Sequence, residues 1–125
     1  MGTSAIIAQQ ISPEEIRVIR LNGDGYTRFA GNKLRQVYDT PEKINDLMDL
    51  GDLSILGDDL FESIAYHRDR NESWSRVKPR IYQRMPFMVN NESGDFIYVF
   101  DGVEWTAYNH NGSEQYVIGG KTLRE

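Results

Sequence analysis

Between His67 and Arg84 the chain carries Arg68, Arg70, Arg76, Lys78, Arg80 and Arg84 against only Asp69 and Glu72, with Trp74 and Tyr82 set among them. A guanidinium grips phosphate or carboxylate through parallel N–H donors, and an indole or phenol ring stacks on a base or an apolar group. Arg68, Arg70, Trp74, Arg76, Arg80 and Tyr82 are therefore the candidate ligand- or partner-binding residues. The same pattern suits arginines that only solvate the outer face of a strand, with Trp74 and Tyr82 in the core, or that neutralise an acidic neighbour. Such a neighbour exists. From Asp39 to Glu62 there are eight acids, Asp39, Glu42, Asp46, Asp49, Asp52, Asp58, Asp59 and Glu62, against Lys43 alone. Opposed charge of this kind says where partners can touch, through the field each face projects. A carboxylate array can imitate a nucleic-acid backbone, but a net charge of −5 is modest for that role.

Catalytic patterns are incomplete. His67-Arg68-Asp69 has the lettering of a kinase catalytic loop, yet Trp74 stands where that loop needs a metal-binding Asn. Gly23-Asp24-Gly25 begins like a dinucleotide fingerprint, but Arg28 occupies the place of its third glycine. Two histidines, His67 and His110, are the only near-neutral proton carriers, and nothing in their spacing brings them to one atom. The acids lack the ligand spacing of a calcium loop, and no serine sits in a nucleophile elbow. No catalytic residue, metal or cofactor is expected.

These residues need a scaffold, and 125 residues suffice for one domain that buries its own core without disulfides, which the absence of cysteine rules out. Glu15 to Leu21 reads as a first strand, ended by the turn residues Asn22 to Gly25. Tyr26 to Tyr38 has helical spacing with a kink near Gly31. Pro41 to Met48 is the clearest helix: Asp39 or Thr40 caps it, Glu42 suits its positive end, Gly51 stops it, and Ile44, Leu47 and Met48 form its buried stripe. Much of the acidic segment is then the wet face of that helix. A compact apolar turn is expected at Leu53 to Leu56. Strands are expected at Ser63–His67, Arg76–Arg84 and Gln115–Ile118, with the best hairpin at 95–109 around Asp101-Gly102. Asn71-Glu72-Ser73, Asn91-Glu92-Ser93 and Asn111-Gly112-Ser113 match glycosylation sequons and are read instead as successive turns of an antiparallel meander.

The fold class predicted is α+β, a small helical layer on a mostly antiparallel sheet with a C-terminal hairpin or meander. Residues 1–13 are expected to be a flexible arm and 14–125 a single α+β domain. Neither a signal-peptide pattern nor a membrane-length apolar run occurs, so a cytoplasmic protein without membrane contact is expected. Opposite charges also allow two copies to pair as a homo-oligomer.

Read in order, Gly25-Tyr26, Gly31, Tyr38, Thr40-Pro41-Glu42-Lys43, Leu50-Gly51-Asp52-Leu53-Ser54, Leu56-Gly57 and Ala65-Tyr66-His67-Arg68-Asp69-Arg70 form a recognisable series. It resembles a group of functionally uncharacterised small bacteriophage and prophage proteins, over about Leu21 to Tyr108. The chain departs from their pattern at Thr27, Ile55, His67 and Asn71, where proline, serine, glycine and glycine are usual. The resemblance implies continuity of fold and a bacterial host cell, and transfers no site. It implies a non-enzymatic phage accessory protein that binds and inhibits a host or anti-phage defence protein. The alternatives are a sponge for a phosphate-bearing, nucleotide-type signalling molecule and a small phage structural protein.

Overall fold

Ala5-Ile6-Ile7-Ala8 is apolar at every position, and a strand buried on both faces needs that continuous run rather than an alternation. The structure, a computed structural model, describes residues 3–92, 94–109 and 115–117. In it Ala5–Ser12 is β1, the middle strand of the sheet, with residues 5 to 8 buried. The expectation of a flexible arm over 1–13 is therefore corrected for Ala5–Ser12: burial on both faces removes the alternation by which a strand is usually recognised.

β1 pairs antiparallel with β2 (Glu15–Leu21) and parallel with β6 (Phe96–Phe100). Outward from β2 come β3 (Leu53–Ile55) and β4 (Ile64–Ala65), while β5 (Arg80–Tyr82) pairs with the other end of β2. Outward from β6 come β7 (Trp105–Asn109) and β8 (Gln115–Val117), an antiparallel meander that realises the expected hairpin. Only β1/β6 and β2/β3 are parallel among the described pairings, so the sheet is mixed and mostly antiparallel.

Side chains alternate across this sheet, and each face is covered by helix. On one face Ile7, Ile19, Leu21, Tyr98, Phe100 and Trp105 meet Leu34 of α1 (Asn32–Gln36) and Ile44, Leu47 and Met48 of α2 (Pro41–Met48). A π-helical turn, Thr27–Gly31, leads into α1 and is the expected break near Gly31. Thr40 caps α2 by accepting the Lys43 N–H at 3.2 Å, and Pro41 occupies the first turn. On the other face Ile6, Ala8, Ile16, Val18, Ile97 and Val99 are covered by Met88.

Two expected strands are shorter than expected and share their span with helix. Ser63–His67 yields only β4 before α3 (Tyr66–Arg70), and Arg76–Arg84 is divided between α4 (Trp74–Val77) and β5. Met88 belongs to α5 (Met85–Asn91), which starts with Pro86 in its first turn and has no counterpart among the expected elements. Asn71, expected in a strand-to-strand turn, instead ends α3 in the left-handed region at φ 58°.

Candidate functional site

Each residue of the His67-Arg68-Asp69-Arg70 run has local work. The Asp69 carboxylate reaches back to accept the Ala65 N–H at 2.8 Å, satisfying a backbone donor at the start of α3. Arg68 bonds that carboxylate through Nε and Nη2, at 3.0 Å to Oδ1 and 2.8 Å to Oδ2, and also donates to the Ser63 carbonyl. The Arg68 hydrogen bond, reinforced by the Ala65 N–H, holds the Asp69 carboxyl below the usual carboxylate range. His67 Nδ1 lies 2.8 Å from the Glu72 carbonyl; since a carbonyl only accepts, this nitrogen carries the proton. Arg70 lies over the Tyr66 ring at 5.7 Å, and the Tyr66 hydroxyl accepts from Asn22 Nδ2 at 2.7 Å.

Trp74 opens α4 and tilts against His67 with ring centroids 5.2 Å apart. It also covers Gly51, where a Cβ would stand 3.0 Å from the indole. With 39 % of its surface exposed, Trp74 is neither core nor free. Arg70 and Arg76 are exposed on the same pair of helices, and neither has a carboxylate partner among the described residues.

Arg80 and Tyr82 turn elsewhere. Arg80 holds Glu92 through Nε at 2.8 Å and Nη2 at 3.2 Å, and Asp52 through Nη1 at 3.1 Å. The Tyr82 hydroxyl donates to Glu92 at 2.6 Å. Burial, then the Glu92 hydrogen bond and charge, push the Tyr82 phenol up to about 12. Burial also raises Asp52, against the Arg20 N–H and Arg80. Of the six expected residues, the structure groups Arg68, Arg70, Trp74 and Arg76 on α3–α4 and commits Arg80 and Tyr82 to an inner network. Asp52 and Glu92 complete that network, and no spacing rule links residues 28 and 12 positions from Arg80 to it. His110 lies outside the described residues.

The acidic stretch is largely engaged as well. Asp39 pairs with Lys43, Asp49 with Arg17, Asp52 with Arg80 and Asp58 with Lys33. Between Gly57 and Ser63 the chain turns tightly: the buried Ser63 hydroxyl accepts the Gly57 N–H at 2.8 Å and donates to the Asp59 carbonyl at 2.9 Å. That turn presents Phe61 with 91 % of its surface exposed, an aromatic that sequence patterning did not single out. The Arg68 bond to Ser63 joins this turn to α3.

Three tyrosines give the fold a readable alkaline limit. Burial raises Tyr98, whose hydroxyl donates to the Gly25 carbonyl at 2.6 Å, and Tyr38, whose hydroxyl donates to the Gly57 carbonyl at 3.1 Å, as it does Tyr82. A phenol whose folded pKa exceeds its unfolded value contributes stability present below the ordinary value of 10.0 and lost as pH rises through the folded one. Tyrosinate absorbance is expected to rise in two stages, the exposed rings first and these three, with Tyr108, which burial also raises, only together with loss of far-UV circular dichroism. A single stage completed before any loss of secondary structure would refute that burial.

Among the described residues no helix is long and apolar enough to cross a membrane, and no three His, Cys, Asp or Glu side chains cluster as metal ligands. Comparison with protein-family models, curated proteins and solved structures returns no match.

Proposed function

We propose that this chain is a non-enzymatic, phage-type accessory protein that docks on and inhibits a host or defence protein through the α3–α4 surface. One observation carries the reading: a part-exposed indole, held against His67 and Gly51, on the same pair of helices as two exposed arginines, Arg70 and Arg76, that have no carboxylate partner among the described residues. Trp and Arg are the residues that most often dominate binding energy at interfaces, and a ring already held in place loses little freedom on docking. The partner surface that fits is acidic around an apolar pocket, and Phe61 provides a second anchor. A phosphate sponge is less well served, because Arg68 and Arg80 already spend their donors on Asp69, Asp52 and Glu92.

The test compares affinity capture by the wild-type chain and by Arg70→Glu/Arg76→Glu, from a bacterial lysate. Both positions are exposed, so the variant is expected to melt within a few degrees of wild type. It should lose the captured protein at least tenfold, and inhibition of that protein's activity should fall in step. Capture that is equal in the two chains sinks the reading. A melting temperature raised by nucleotides in the wild-type chain but not in Arg70→Glu/Arg76→Glu, with no protein captured, would favour the sponge instead.

A further inference from the structure

β1 and β6 lie side by side and run the same way, but the chain leaves their carboxyl ends in opposite directions, into β2 on one side and β7 on the other. Neighbouring parallel strands with diverging connections leave a crevice beyond their carboxyl ends, the place where open sheets of parallel strands take ligands. Here Gln9 and Phe100 are partners at those ends, and α2 forms the third wall. The crevice is open to solvent and has a volume of about 570 Å³, within the range of small-molecule sites. It is separate from the α3–α4 surface and does not rest on the role proposed for it.

Its polar wall is ordered by a single chain of hydrogen bonds. Arg17 can only donate, so the Gln9 oxygen faces Arg17 Nη2, at 3.2 Å, and the Gln9 amide nitrogen faces the Asn45 oxygen, at 2.7 Å. That fixes the Asn45 amide as well, leaving Nδ2 with two donors and no partner among the described residues. Arg17 Nη1 takes one Asp49 oxygen at 2.9 Å and leaves the other open. Arg17 Nη1 carries a second N–H beyond the one it gives to Asp49. What is left is donors from Asn45 and Arg17 beside an acceptor on Asp49, with Arg17 and Asp49 cancelling in charge. Ile11 and Phe100 add apolar lining.

We propose that this crevice binds a neutral nucleobase-type heterocycle whose edge carries a carbonyl next to ring N–H, as in guanine. The carbonyl takes the Asn45 and Arg17 donors, and the N–H groups give to Asp49. Side-chain amides and carboxylates read base edges by such complementary pairs. The absence of net charge makes the base, not a phosphate, the recognised part. Adenine presents a ring acceptor where guanine presents N–H, so it sets an acceptor against the Asp49 carboxylate.

The test is a titration of the 15N-labelled full chain with guanosine monophosphate and, separately, adenosine monophosphate. The guanine nucleotide is expected to shift the side-chain amide signals of Gln9 and Asn45 and the Arg17 Nε–H signal saturably, and the adenine nucleotide to bind at least tenfold more weakly. Asp49→Asn and Asn45→Ala should each weaken guanine binding about tenfold, equivalent to about 1.4 kcal/mol. Asp49 is exposed, so its variant should keep the wild-type melting temperature within a few degrees. No saturable shift with the guanine nucleotide at millimolar concentration overturns the proposal. Equal binding of the two nucleotides, or undiminished guanine binding by Asp49→Asn, overturns it equally.

Discussion

Gly51→Ala is expected to lower the melting temperature by roughly 10 °C. Gly51 follows α2 with φ +78°, a conformation that costs a residue with a Cβ roughly 1–2 kcal/mol. Space is short as well: the added Cβ would stand 2.5 Å from the Val77 carbonyl oxygen and 3.0 Å from the Trp74 ring. Backbone cannot yield as a side chain does, because the Asp52 N–H is bonded to that same Val77 oxygen at 2.8 Å. Overpacking of this kind costs about 1–3 kcal/mol, so the two effects together reach about 2–5 kcal/mol. For a domain of this size about 1 kcal/mol corresponds to a few degrees. Gly102→Ala is the informative comparison. Its φ is +105°, but a Cβ there meets nothing within 4 Å, so only the strain is added and the loss should be smaller. Thermal melts of the two variants separate strain from collision. A Gly51→Ala loss no greater than that of Gly102→Ala would show that α4 moves away freely. Trp74 offers a second reading of the same change, since its displacement should raise its quenching by iodide, while Trp105 is buried at 1 % exposure and stays silent.

What could be read along the chain was what depends on near neighbours. The Thr40 cap, Pro41, the stripe Ile44, Leu47 and Met48 and the stop at Gly51 all act within about a turn of helix, and α2 follows from them. β2 and the β6–β7 hairpin alternate or turn locally, and they are present as expected. β1 was hidden by its position: a central strand loses its polar face, and Ala5 to Ala8 then looks like a stretch without period. α3 was hidden by a hydrogen bond, since β-like residues at Ile64-Ala65-Tyr66 give way to a helix once Asp69 takes the Ala65 N–H. The lettering His-Arg-Asp is thus a helix start and an ion pair.

The candidate site was legible only in part, because exposure is a property of packing. Arg70 and Arg76 differ from Arg80 in nothing a sequence shows, yet Arg80 meets Asp52 and Glu92 while the other two face solvent. The crevice beside α2 was out of reach for the same reason. Gln9 and Asn45, bonded at 2.7 Å, are 36 positions apart, and what places them together is the packing of α2 on the sheet face that includes β1.

Glu92→Ala is expected to have the second large effect, a loss of about 3 kcal/mol, the low end of what breaking a buried pair costs. The Glu92 side chain is 6 % exposed and receives both the Arg80 fork and the Tyr82 hydroxyl, so its removal strands three donors at once. Arg80 is only partly rescued: it keeps Asp52 at 3.1 Å and the Lys78 carbonyl at 3.0 Å, and at 30 % exposure it recruits some solvent, which is why the low end is expected. The consequence should reach beyond the pair, because the Glu92 side chain ties the end of α5 to β5 through Arg80 and Tyr82, and Met88 of that helix is its buried contribution to the second core; the backbone bond from residue 92 to the Met88 carbonyl remains in the variant. Two further measurements tie the loss to charge rather than to the missing volume. The Tyr82 phenol should titrate below its wild-type value of about 12, since burial remains but the Glu92 hydrogen bond and charge are gone. Arg80→Leu should cost less when placed on Glu92→Ala than in the wild-type chain, because alone it strands both Glu92 and Asp52, whereas on Glu92→Ala it strands only Asp52. An equal cost in the two backgrounds would mean that Asp52, not Glu92, is the partner coupled to Arg80.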